Sequence, residues 1–118
     1  MRVHHLALRT ADLPRLERFY VEALGLAVIQ RPDGDRSVWL DAGGTIVMLE
    51  RSDEGEPPIP AGSKELVAFT VAPETRAFCI ERLAGAGVPV EATTKYSIYV
   101  RDPDGRRVGV SSYPVPLV

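Results

Sequence analysis

The chain has 118 residues, of which 45% are hydrophobic and 25% charged, enough for one folded domain without covalent staples. Fourteen basic against sixteen acidic side chains leave a net charge of −2, which argues against a nucleic-acid surface. A single cysteine, Cys79, excludes an internal disulfide and a cysteine-built zinc cluster, and no apolar run has membrane-spanning length. With no apolar signal core after Met1, the expected setting is the cytoplasm.

Residues 3–9, Val-His-His-Leu-Ala-Leu-Arg, read as a strand. Asp12 is a good N-cap and Pro14 suits a first helical turn. Leu13, Leu16, Phe19, Tyr20, Ala23 and Leu24 recur at helical spacing, and Gly25 is a stop. Strands are expected at 27–30, 37–40 and 45–50, with Pro32-Asp33-Gly34 and Gly43-Gly44 as turns. Residues 51–64 are rich in proline, glycine and charge and read as a linker, with a solvated acidic stretch at 53–56. A strand at 66–71 follows. A helix opens at Pro73 with Ala77, Ile80, Leu83 and Ala84 inward, and Gly87 ends it. Strands at 88–91, 97–101 and 107–112 precede a proline-bearing tail, which is expected to lie over the surface or a partner.

Each half therefore reads strand, helix, strand, strand, strand. An offset of 61 carries His5-Leu-Ala-Leu onto Leu66-Val-Ala-Phe, and Asp41-Ala-Gly-Gly onto Asp102-Pro-Asp-Gly. Strand alternation puts His5, Ala7 and Arg9 on one face, with His4 toward the helix; Ile46, Met48 and Glu50 share another. The offset pairs these with Leu66, Ala68 and Thr70, and with Gly109 and Ser111.

Three stretches carry a family resemblance: His5 to Leu13 running into Phe19-Tyr20 and Leu24-Gly25, then Val67-Ala68-Phe69-Thr70-Val71, then Arg101-Asp102-Pro103-Asp104-Gly105. Together they make the chain similar to the vicinal oxygen chelate superfamily, which holds glyoxalases, bleomycin-resistance proteins and extradiol dioxygenases. The resemblance implies an α+β fold of two tandem βαβββ modules, forming a curled mixed sheet around a cavity. Residues 1–118 then make one such domain, with modules at about 1–50 and 65–112. It implies a homodimer, in which modules pair within or across chains. It also ties a divalent metal to positions matching His5, Met48, Leu66 and Gly109, where only His5 is a usual ligand. A divalent metal is thus disfavoured: even with Glu50 in place of Met48 there are two ligands where a catalytic zinc site usually has three, unless a second chain or waters complete the site, while lyase, isomerase or dioxygenase-like activity stays open by the resemblance.

Two readings stay open. One is a metal-free binder of a small organic ligand, with Arg9 and His5 as polar anchors and Met48 and Leu66 as apolar contacts. Thr70, Tyr96, Tyr99 and Ser111 would complete its wall, Trp39 being core or interface. The other is a lyase or isomerase in which His5 or Glu50 moves a proton beside a carbonyl. Each has a plainer alternative: Arg9 ion-paired to Glu50, Glu50 solvated, and Cys79 a small buried hydrophobe.

Overall fold

A computed structural model describes residues 1–32 and 34–117. Asp33 of the expected Pro32-Asp33-Gly34 turn, and Val118 of the tail, lie outside the described residues. The chain divides into two compact units, Met1–Pro58 and Ile59–Val118. Each is a βαβββ module with a four-stranded mixed sheet, so the expected α+β duplication is the observed architecture.

In the first unit β1 (His5–Thr10) is followed by α1 (Leu13–Arg18), β2 (Ala27–Gln30), β3 (Ser37–Asp41) and β4 (Ile46–Arg51). The sheet order is β1-β4-β3-β2, with β1 parallel to β4 and the other pairs antiparallel. Asp12 caps α1 as expected, accepting from the Arg15 N–H at 3.1 Å. The helix runs on through Phe19–Ala23 in a wider π-type turn, in which the Leu24 N–H reaches back five residues to the Phe19 carbonyl at 2.9 Å. Periodicity alone does not announce that extra residue. Gly25, at φ 94°, then turns the chain so that Leu26 donates to the Tyr20 carbonyl. Leu16 and Tyr20 are fully buried, against the sheet face that carries Val38, Leu40, Val47 and Leu49.

The second unit repeats the plan: β5 (Leu66–Thr70), α2 (Pro73–Gly85), β6 (Ala92–Thr93), β7 (Ser97–Arg101) and β8 (Arg107–Ser111), ordered β5-β8-β7-β6. Its core joins Cys79 and Leu83 to Ile98, Val100, Val108 and Val110. The inner face of α2 is therefore Cys79 and Leu83 with Ile80 half-buried, while Ala77 and Ala84, expected inside, are exposed. Burial pushes the Cys79 thiol pKa up, in keeping with a packing role.

Several boundaries move. The first strand begins at His5, since it pairs with β4 only from there, and β6, the second strand of the second unit, is two residues at Ala92–Thr93 instead of 88–91. The 61-residue offset holds for β1/β5 and β4/β8. For β3/β7 it is 60, because Trp39 faces Met48 while Tyr99 faces Gly109. The second hairpin turn is one residue longer. The tail folds back onto its own unit: the Arg76 guanidinium donates to Ser112 Oγ and to the Pro116 carbonyl, and Leu117 N–H donates to the Lys95 carbonyl.

Candidate functional site

Each sheet has one face turned to its core and one open face, and the ladder fixes which side chains share the open one. In the first unit His5 stands opposite Ile46, Ala7 opposite Met48, and Arg9 opposite Glu50. Trp39 lies beside Met48 on the next strand. His5 and Glu50 are thus at opposite ends of the face, four residues apart along the strands, about 13 Å at 3.3 Å per residue. They do not converge on one atom within this unit.

His5 is exposed, and its Nδ1 lies 2.9 Å from Nδ1 of His4, so one ring donates and the other accepts. His4 precedes the strand and is exposed, instead of facing the helix. Trp39 and Met48 form a half-buried apolar patch in the middle of the face. The Trp39 indole Nε1 is buried and has no acceptor among the described residues. A buried indole N–H normally finds one, so this donor is unsatisfied among the described residues.

Arg9, expected to offer its fork to a ligand, has it engaged inside the chain. Its Nε and Nη2 donate to the Glu56 carboxylate, at 3.1 and 2.8 Å to the nearer oxygens. Asp53 lies 3.4 Å from Nη2, and Glu50 is 3.5 Å from Nη1. Glu50 is only a quarter exposed, and Glu56, expected to be solvated, is equally covered. The bidentate pair lays the segment after β4 back against β1. It holds the Glu56 carboxyl down at about 2 against an ordinary 4.5, chiefly through the hydrogen bonds from Arg9, and raises the Arg9 pKa for the same reason.

A folded-state pKa below the unfolded one gives stability that is complete above the unfolded value and lost as pH falls toward the folded value. Acid titration should therefore lower the melting temperature between about pH 4.5 and 2, and Glu56→Gln should remove part of that slope. Equal slopes in the two proteins, by differential scanning calorimetry, would remove this role for the pair.

On the second unit Leu66 pairs with Arg107, Ala68 with Gly109, and Thr70 with Ser111, while Tyr99 lies across from Gly109. Leu66 and Thr70 are exposed and Tyr99 is half-buried. A Cβ built on Gly109 would stand 3.0 and 3.1 Å from two Tyr99 ring carbons and 3.2 Å from the Ala68 Cβ. The tyrosine ring thus covers the glycine backbone. Ser111 accepts from the Tyr113 N–H at 3.2 Å. Tyr96 lies outside β7, and its ring meets Tyr113 edge-on at 4.9 Å.

Two residues of this face escaped the sequence reading. Arg107 lies over the Tyr99 ring, with Cζ 4.5 Å from the centroid, and Glu91 stands between Arg107 and Arg101. The signal was present in the pleat, because Arg107 has the parity of Gly109 and Ser111.

The donor chemistry does not fit a divalent metal. Of the four positions tied to one, Met48 offers a soft thioether, Leu66 and Gly109 offer no donor, and Tyr99 occupies the space beside Gly109. Among the described residues no three His, Cys, Asp or Glu side chains cluster as metal ligands. No helix among them is long and apolar enough to cross a membrane.

Comparison with known proteins adds the wider setting. The family model described as Glyoxalase/Bleomycin resistance protein/Dioxygenase superfamily matches residues 2–110. Virulence protein STM3117 of Salmonella typhimurium is 32% identical over 123 aligned residues, covering 95% of this chain and 84% of that protein. A glyoxalase/dioxygenase from Nostoc punctiforme superposes with a TM-score of 0.81 at 23% identity, over 96% of this chain and 91% of that one. A lactoylglutathione lyase from Agrobacterium tumefaciens gives 0.72 at 24% identity, over 95% and 93%. At such identities the two solved structures speak for the fold alone.

Proposed function

Because the chain belongs to the Glyoxalase/Bleomycin resistance protein/Dioxygenase superfamily, we propose that it binds a small organic ligand through apolar and hydrogen-bonding contacts, without a resident divalent metal. One observation carries this reading: the positions that would grip a metal hold Met48, Leu66 and Gly109 beside a lone His5, and Gly109 is covered by the Tyr99 ring. Ligand recognition then falls to the patch of Trp39 and Met48. It has an apolar floor and an indole N–H without a partner among the described residues. The ligand class that suits it has a flat apolar body and one hydrogen-bond acceptor.

The chain has one tryptophan, so Trp39 reports on this patch without interference. Aromatic ligands that bind here should change its emission, and Met48→Ala should weaken them. Offering zinc, nickel, iron, manganese and magnesium in turn to the purified protein should leave sub-stoichiometric metal by elemental analysis. A tightly held ion lost on His5→Ala would overturn the reading, even if the remaining ligands came from a second chain. Turnover of a 2-oxoaldehyde–thiol adduct abolished by the same substitution would reassign the protein to the lyase alternative.

A further inference from the structure

We propose that Arg107 and the Tyr99 ring beneath it form a binding arm for a small organic oxyanion, a carboxylate or a phosphate monoester with an apolar body. The inference uses residues of the second unit alone, so it stands or fails separately from the Trp39 reading.

Two neighbouring arginines are satisfied unequally. Arg101 is fully engaged: its Nε bonds both Glu91 oxygens at 3.0 Å, its Nη2 lies 3.0 Å from Glu91, and its Nη1 donates to the Ser63 and Gly105 carbonyls. Arg107 receives what is left. Its Nε approaches Glu91 Oε2 only to 3.5 Å and makes no hydrogen bond among the described residues, although that atom is buried. No hydrogen bond among those residues has its Nη groups as donors, and the side chain is one-fifth exposed. Two cations thus share one carboxylate, and the surplus positive charge sits on Arg107.

The surroundings offer no relief. By register this face carries Leu66, Ala68 and Thr70 of β5, Ala92 of β6, Ser97 and Tyr99 of β7, and Gly109 and Ser111 of β8, along with the two arginines, and none of these strand residues is acidic. Nearby Asp102 and Asp104 are held by Arg106. The cation is also pre-positioned, because it rests over the Tyr99 ring with Cζ 4.5 Å from the centroid, while its Nη groups donate no hydrogen bond among the described residues. A planar fork of this kind pairs with carboxylate or phosphate oxygens through two parallel hydrogen bonds. Exposed Leu66, opposite Arg107 on β5, supplies the apolar contact that makes an organic anion a better fit than a bare one.

The test is a titration of the full chain, with tyrosine rings labelled for NMR, at constant ionic strength. The probes are phenyl phosphate, benzoate, inorganic phosphate and neutral benzyl alcohol. Phenyl phosphate or benzoate, or both, should shift the Tyr99 ring signals at millimolar concentration, and which one binds tighter identifies the headgroup. Inorganic phosphate should bind more weakly and benzyl alcohol not measurably. Arg107→Gln should weaken the best probe by roughly tenfold or more, Arg107→Lys by less, and Arg31→Gln, whose arginine is chelated by Glu17, not at all. If Arg107→Gln proves misfolded by circular dichroism, the loss of affinity in Arg107→Lys decides. Binding of benzyl alcohol as tight as that of the anions would overturn the proposal. So would unchanged affinity in the Arg107 variants, or a wild-type protein that binds no probe.

Discussion

Replacing Asp102 with alanine is expected to lower the unfolding free energy by roughly 3 kcal/mol, the low end of what removing one partner of a buried ion pair costs. The Asp102 side chain is fully buried at the start of the β7–β8 turn. Its Oδ1 accepts from the Asp104 N–H at 2.9 Å and the Arg106 N–H at 3.1 Å, and its Oδ2 takes the Arg106 guanidinium at 3.1 Å. Truncation strips two turn amides of their acceptor and takes one carboxylate from Arg106, only 11% exposed, which keeps Asp104 at 3.5 Å. That fallback is why the low end of the range applies. The duplicate module supplies the control. Asp41 makes the same local turn, accepting from the Gly43 N–H at 2.9 Å, but it is exposed and, among the described residues, has no ion pair. Asp41→Ala should cost about 1 kcal/mol or less. Urea unfolding of both variants checks the pair, and equal costs would show that burial of Asp102 does not matter.

The contrast also shows which features the residues alone make legible. Helix stops at Gly25 and Gly87, the Asp12 cap, and the Asp41 and Asp102 turns are local chemistry, written within a few residues, and all were legible. So was the duplication, since it rests on the order of such signals. The two-residue β6 was not, because pairing with Ile98 and Tyr99 places it, and nothing in Val88–Glu91 shows that contact with β7 starts only at the Glu91 N–H, which donates to the Tyr99 carbonyl. The shift from 61 to 60 between β3 and β7 was hidden for a like reason: one extra turn residue changes the ladder without changing the strand pattern.

The candidate sites divide the same way. Face membership of His5, Met48, Glu50 and Gly109 followed from alternation and is what the ladders have. The engagement of Arg9 by Glu56 spans 47 residues and passes through a segment whose composition suggests only a solvated loop. No periodicity encodes it. Arg107 could be assigned its face by parity, but its rank over Arg101 depends on how Glu91 divides two oxygens between them, which only geometry shows.

Gly109→Val should destabilise the protein by roughly 2 kcal/mol, within the range for overpacking, and should abolish the Tyr99 response to organic anions. On an open strand the change would be favourable, since valine suits a pleated surface and the scale of that preference is about 1 kcal/mol. Here steric conflict decides the sign. Already the first added carbon stands 3.0 Å from the Tyr99 ring and 3.2 Å from the Ala68 Cβ, inside normal contact, and valine adds two more carbons behind it. β8 is an interior strand, paired on both sides with β5 and β7, so its backbone has little room to yield. The ring must therefore swing off the strand. With it goes the surface that holds the Arg107 guanidinium at 4.5 Å, and the arginine is released to reach Glu91 more closely. Gly109→Ala should show the same two effects at smaller amplitude. The informative result is their coupling: a valine variant as stable as the parent, with Tyr99 signals unmoved, would mean that the ring does not rest on Gly109. A variant that loses stability yet keeps full anion affinity would separate Arg107 from the tyrosine beneath it.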